Sequence, residues 1–157
     1  MAYHPDEILE MAERIETNGA AFYADAARRA DDPASRTLLE SLARMEADHQ
    51  RTFARLRAEA ADGGGVAAYE DPDGLAIGYL RSMADSRVFS GRALDTSSTA
   101  AILRAALAAE RDAIAFFTGM RELVPEGPGR APVDRIIREE MDHVVQLSRR
   151  LKAVAGE

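Results

Sequence analysis

Arg44-Met45-Glu46-Ala47-Asp48-His49 and Arg138-Glu139-Glu140-Met141-Asp142-His143 are two versions of one stretch, 94 residues apart, and each holds a Glu-x-x-His tetrapeptide. Both lie in runs whose apolar residues recur every three or four positions, which reads as helix. Side chains three apart share a helix face, so Glu46 and His49 can point at one object, and so can Glu140 and His143. The chain has only three histidines, and two of them stand in this context.

The similarity extends well beyond the tetrapeptides. At the same offset, residues 8–56 align with residues 102–150 without a gap: Ile8, Leu9, Ala12, Glu16, Ala21 and Phe22 meet Ile102, Leu103, Ala106, Glu110, Ala115 and Phe116. Glu16 precedes Glu46 by the same interval that separates Glu110 from Glu140. The chain is therefore read as two copies of one helical hairpin in a single domain, residues 1–157.

Helices are expected over about 6–30, 33–61, 97–124 and 132–155, joined at the centre by a crossover over about 62–96. Pro5 and Asp6 suit a helix start, and Asp32 followed by Pro33 reads as an N-cap and first turn. So short a turn makes the first two helices antiparallel neighbours. The first inward stripe is Ile8, Ala12, Ile15, Gly19, Phe22, Tyr23 and Ala26, with Glu16 inside it. The second carries Leu38, Leu42, Met45, Phe53 and Leu56, with Glu46 and His49 on the same face. Asp48, about 200° round the helix from Glu46 and four residues after Arg44, reads as a solvent-side ion-pair partner.

Gly63 to Gly65 end the second helix. The crossover has apolar residues enough for a short helix (Leu75, Tyr79, Leu80, Met83), then Val88 and Phe89. The hydroxyl cluster from Thr96 to Thr99 caps the third long helix, whose stripe is Ile102, Ala106, Ala109, Ala113, Phe117 and Met120, with Glu110 embedded. Pro125, Gly127, Pro128 and Gly129 break the chain. The last helix buries Val133, Ile136, Ile137, Val144, Leu147, Leu151 and Val154 around Glu140 and His143, and no further helix is expected after it.

Composition narrows the function classes. Alanine, leucine, arginine and glutamate dominate, and β-branched residues are too sparse for a large sheet, so the class is all-α. A net charge of −7 argues against nucleic acid and against an anionic membrane as partners. No apolar run approaches the roughly 18 residues that span a bilayer, and no secretion signal opens the chain; a cytoplasmic location is expected. Without cysteine there is no disulfide, thiolate nucleophile or sulfur-ligated metal, so any metal is held by oxygen and imidazole nitrogen. Three histidines are too few for a haemerythrin, and the His-Glu-x-x-His of a zinc protease is absent. His4, outside any stripe, reads as a solvent-exposed terminal residue.

Four carboxylates in apolar stripes are costly to bury ionised and unpaired. Two dications balance four carboxylates, and two neutral imidazoles complete a site of no net charge. Glu16, Glu46, His49, Glu110, Glu140 and His143 are therefore read as ligands of two metal ions.

This set resembles the ferritin-like di-iron carboxylate proteins, in which two helices of a four-helix bundle give one Glu each and two give Glu-x-x-His. Within that superfamily the chain is most similar to the rubrerythrin group, through the run Glu139, Glu140, His143 and the aromatics Tyr23 and Phe117, seven positions after Glu16 and Glu110. The resemblance implies a ferritin-like four-helix bundle of two repeated hairpins with a long, partly helical crossover. It implies two Fe ions, with Mn or Zn as substitutes. Glu46 and Glu140 would bridge the metals, Glu16 would be terminal on the metal of His49, and Glu110 on that of His143. Tyr23 would stand behind a ligand carboxylate, or be a core aromatic bonded elsewhere; Phe117 has no hydroxyl for that role.

Three departures bear on activity. Rubrerythrins carry a further helix-3 carboxylate one turn after the first, where this chain has Ala113. Full-length members carry a cysteine-rich rubredoxin domain, which this chain lacks, so electrons would come from a separate protein. Bacterioferritins ligate haem through a methionine directly after the helix-2 glutamate; Ala47 stands there, and no haem is expected. The leading expectation is an oxidoreductase reducing peroxide or dioxygen, with relevance to oxidative stress. Iron oxidation for storage or handling (a ferroxidase) is the alternative, and a bundle with structural metals or a partner-binding crossover is the third reading. Leu75, Leu80 and Phe89, apolar residues in need of cover, suggest a homodimer.

Overall fold

Capping chemistry sets where the helices begin and end. The computed structural model describes residues 2–3, 5–62, 69–85, 89, 95 and 97–156 and is all-α apart from a small β-ribbon. In order, the elements are β1 (Ala2–Tyr3), α1 (Pro5–Arg29), α2 (Pro33–Ala61), β2 (Tyr69–Glu70), α3 (Leu75–Asp85), α4 (Thr99–Leu123) and α5 (Arg130–Ala155). His4, Gly63 to Gly65, Val88 and Thr96, all read above from the sequence, lie outside the described residues.

Helix α1 has Asp6 and Glu7 in its first turn and Arg28 and Arg29 in its last, the charge order that complements the helix dipole. The turn into α2 is held by Asp32, extended at φ −99°, whose carboxylate accepts the Ser35 N–H at 2.8 Å. The same carboxylate accepts Arg150 Nη2 at 2.9 Å, and Arg150 Nε donates to the buried Ser35 Oγ, so this cap also ties α2 to α5. Asp32→Ala removes both contacts and should cost about 1–2 kcal/mol. Urea unfolding would show this as a lower midpoint with unchanged slope; an unchanged midpoint would mean the cap is idle.

Ser98 caps α4, its hydroxyl accepting the Ala101 N–H at 3.1 Å. Thr99 instead uses its hydroxyl oxygen to accept the Asp31 N–H at 3.2 Å, which joins the first hairpin's turn to the start of the second hairpin. Gly156 ends α5 in the left-handed region at φ 73°, where a residue with a Cβ is strained.

The helices form two hairpins, α1 on α2 and α4 on α5, and β1 pairs antiparallel with β2 (Ala2 opposite Glu70, Tyr3 opposite Tyr69). Short α3 crosses against α4 and α1. Its start is organised by the buried Asp71, whose carboxylate accepts the Ile77 N–H at 2.9 Å. Gly119 allows the crossing: a Cβ there would lie 2.6 Å from the Tyr79 ring, whose hydroxyl donates to the Ala115 carbonyl.

Leu80 is fully buried within the chain, and Phe89 packs against Phe22 and Tyr23, so both find cover internally; Leu75 is 73% exposed. Most stripe residues face inward as read. The exceptions are Phe22 on α1, Val144, Leu151 and Val154 on α5, and Met45 on α2, all half-buried, and Leu38 on α2, where Leu39 is fully buried instead. The core falls into two apolar clusters. One runs from Ile8 through Phe53 and Phe117 to Ile137, and the other from Tyr23 through Leu42 and Ile102 to Leu147. Among the described residues no helix is long and apolar enough to cross a membrane.

Candidate metal centre

Between the two apolar clusters lies a polar layer built from all four long helices. Glu16 comes from α1, Glu46 and His49 from α2, Glu110 from α4, and Glu140 and His143 from α5. The four carboxylates and His143 are fully buried, and His49 is 3% exposed. They form two overlapping groups that could hold a metal ion, Glu16, Glu46, His49 and Glu140 in one and Glu46, Glu110, Glu140 and His143 in the other. Within each group the potential ligand atoms lie within 4.8 Å of one another. Glu46 and Glu140 belong to both.

Each histidine turns Nδ1 toward the carboxylates. His49 Nδ1 is 3.0 Å from Glu140 Oε1 and 3.6 Å from Glu16 Oε2. His143 Nδ1 is 3.0 Å from Glu140 Oε2, 3.2 Å from Glu46 Oε1 and 3.3 Å from Glu110 Oε1. The rings lie nearly parallel, 16° apart in plane, with centroids separated by 5.8 Å. The Tyr23 hydroxyl donates to Glu110 Oε1. Of the two readings of Tyr23, the hydrogen bond to a carboxylate of the cluster is the one observed.

Residues packed close to the cluster shape it as well. Gly19 on α1 is buried, and a Cβ there would lie 2.7 Å from Glu46 Oε2. Gly19→Ala should therefore displace the Glu46 carboxylate, weakening metal binding by about 10–100-fold, although alanine favours the helix by about 1 kcal/mol. Calorimetric metal titration beside thermal unfolding would reveal this split; unchanged affinity would show that Glu46 has room to move.

Electrostatics mark the cluster as unbalanced without cations. Burial, then the charges of Glu46 and Glu140, holds the Glu16 carboxyl well above the ordinary carboxylate range. Burial and the charge of Glu140 do the same to Glu110. Burial opposes a charged imidazole at His143, yet the adjoining carboxylates of Glu110, Glu140 and Glu46 outweigh it and push that group up to about 12. At His49 burial is likewise outweighed, chiefly by Glu140, and the ring is raised. Burial disfavours the Glu140 carboxylate as well, but the two histidines overcome it and hold the group below its usual value. Burial beside Glu110 raises the Tyr23 phenol.

Whether metal ions fit can be tested on the orphaned atoms. Among the described residues, both oxygens of Glu16, both of Glu46, Glu110 Oε2 and His143 Nε2 are buried without a hydrogen-bond partner. An unsatisfied buried polar group costs about 1–3 kcal/mol, and more if charged. Five of the six are carboxylate oxygens, hard donors suited to iron or manganese, and imidazole nitrogen completes such a set. The residues fit a pair of divalent ions.

Sequence reasoning gave no role to Glu139. Its Oε2 lies 2.7 Å from His49 Nε2, on the side of the ring away from the cluster. Glu139 is 37% exposed and lines, with Met45, Asp48, His49, Thr52 and Arg135, a surface groove of about 230 Å³ that reaches His49. The one available signal was its place beside Glu140, on the helix flank facing α2. Asp48 is solvent-exposed as read, but its ion-pair partner is Arg51.

Comparison with known proteins agrees with this picture over the first hairpin. Residues 7–69 match the family model described as Rubrerythrin, which bears out the resemblance read from the sequence. No curated protein and no solved structure matches the chain. The match covers Glu16, Glu46 and His49; the second half of the site rests on the internal repeat and on the geometry above.

Proposed function

We propose that the chain is a non-haem di-iron oxidoreductase of rubrerythrin type that reduces peroxide or dioxygen with electrons from a separate donor protein. The observation that carries this reading is the pair of overlapping Glu/His groups sharing Glu46 and Glu140 in a buried layer of the bundle. Glu16, Glu46, Glu140 and His49 would hold one iron, and Glu46, Glu110, Glu140 and His143 the other. Iron held there in the ferrous state would supply the two electrons that reduction of an O–O bond requires.

The protein's part is to position ligands and exclude water. Glu139 fixes the His49 ring so that Nδ1 faces the site. Tyr23 holds its hydroxyl hydrogen at Glu110 Oε1 and so orients that carboxylate. Phe53 and Phe117, stacked with centroids 5.3 Å apart, belong to the apolar cluster on one side of the polar layer and help exclude water. The groove beside Glu139 and His49 is a short route by which a molecule the size of peroxide reaches a ligand side chain.

Purification with Fe(II) should give about two irons per chain, as the ligand set demands. Stopped-flow mixing of the diferrous protein with hydrogen peroxide and, separately, with dioxygen then identifies the oxidant. A markedly faster reaction with peroxide makes the protein a peroxidase. Sustained uptake of many irons per chain would replace this proposal with iron storage, and fewer than one iron per chain would end it.

A further inference from the structure

The 94-residue offset places Phe117 opposite Tyr23 and Glu139 opposite Met45. These two differences between the repeats fall on groups that stand behind ligands. Tyr23 donates a hydrogen bond to Glu110 Oε1, whereas Phe117 has no donor to give, and among the described residues both oxygens of Glu16 are buried without a partner. Glu139 lies against His49 Nε2 at 2.7 Å, whereas Met45 offers no carboxylate, and among the described residues His143 Nε2 is buried without a partner. One histidine is therefore backed by an acceptor and the other is not. On the carboxylate side the pattern is reversed.

These two asymmetries act in the same direction. A carboxylate accepting the Nε2–H of His49 fixes the tautomer whose Nδ1 carries the lone pair, and it raises that nitrogen's basicity. His143 has no such support. The phenol hydrogen draws charge from Glu110 Oε1 and so weakens it as a donor, while both oxygens of Glu16 keep their full donor strength. Glu46 and Glu140 are common to both groups and cancel in the comparison.

Building on the two-metal reading, we infer that the metal positions are unequal: the one facing Glu16 and His49 takes a divalent ion first and more tightly than the one facing Glu110 and His143, and Glu139 is the positioning residue that sets this order. Arg135 Nε lies 3.8 Å from the outer oxygen Oε1 of Glu139, on the side away from the ring. Oε2 remains on His49.

The test uses the full metal-free chain and Co(II), a probe that binds oxygen and imidazole ligands without reacting with air on the timescale of a titration. Visible absorption and calorimetry should resolve two steps, the first about 10–100-fold tighter. Glu139→Met, which gives both repeats the same residue at this position, should weaken the first step and narrow the gap to the part that Tyr23 alone maintains. Glu139→Gln, whose amide oxygen still accepts the Nε2–H, should restore part of the separation. Met45→Glu should tighten the second step. Circular dichroism before metal addition reports on the fold of each variant. Equal steps in the unaltered chain, or a gap between the steps that Glu139→Met leaves unchanged, would overturn the inference while the two-metal reading stood. No cobalt uptake at all would overturn both.

Discussion

Two equivalents of Fe(II), added without oxygen to the metal-free chain, are expected to raise its unfolding temperature by about 10–20 °C and to release protons. The temperature shift follows from linkage. At free metal about 100 times the dissociation constant, each ion stabilises the folded state by about 2.7 kcal/mol, and roughly 5 kcal/mol in total moves the transition of a chain this size by about 2–4 °C per kcal/mol. The proton release follows from the charges of the cluster. In the metal-free chain burial and neighbouring carboxylates favour the protonated forms of Glu16 and Glu110, and the surrounding carboxylates push His143 up to about 12. Dications require the deprotonated carboxylate and the neutral ring, so protons leave as metal arrives.

The pH dependence has a definite sign. Glu16 and Glu110 have raised folded-state values, so their contribution is fully present below the ordinary carboxylate value of 4.5 and is lost as pH climbs toward the folded-state values. The raised His143 behaves alike, its contribution being present below 6.5 and lost as pH rises through about 12. Glu140 runs the other way: its depressed value contributes above 4.5 and is lost on acidification. Metal binding competes with the protons on Glu16, Glu110 and the histidines, so the thermal shift on loading should grow between pH 5.5 and pH 7.5. Calorimetry in buffers of differing ionisation enthalpy counts the protons released. A shift independent of pH, with no protons released, would show that the cluster does not exchange protons for metal.

The ligand constellation was readable in the sequence because it is periodic twice over. Glu46 and His49 are fixed on one face by the helix period, and the repeat at 94 residues brings a second copy to the same depth. Asp32 with Pro33 marked the first turn for an equally local reason, since an N-cap and a first-turn proline act within a few residues of themselves. What escaped was contact between elements. Glu139 reaches His49 across the α2–α5 interface, and no pattern within α5 distinguishes that carboxylate from a solvated one. Leu38 and Leu39 are adjacent and chemically identical, and only the rotation of α2 against α5 and α1 decides which of them is buried. The choice of Ser98 over its neighbours as the cap of α4 depends likewise on Thr99 being engaged by the Asp31 N–H from another hairpin.

Removing one shared carboxylate should do more damage than removing either unshared one. Glu140 lies in both candidate groups and touches both histidines, through Oε1 to His49 and Oε2 to His143. Glu16 lies in one group only. Glu140→Gln keeps the side chain's volume but removes the anion between the two positions, and its amide NH₂ turns a donor toward one of them. Both ions should then be lost at micromolar free metal, a fall of more than about 100-fold in affinity, the upper end of what altering a ligand's support alone produces. Glu16→Gln should cost only the ion beside His49 and leave about one per chain. In the metal-free state the order reverses. Glu16→Gln replaces a buried acid with a neutral isostere and should be neutral or mildly stabilising, whereas Glu140→Gln strips the charge partner from two raised histidines and should destabilise by about 3–5 kcal/mol, the usual cost of breaking a buried pair. Metal content by mass spectrometry and urea unfolding of both variants decide the matter. If Glu140→Gln still holds one ion while Glu16→Gln holds none, Glu140 is not the shared ligand and the bridging geometry falls.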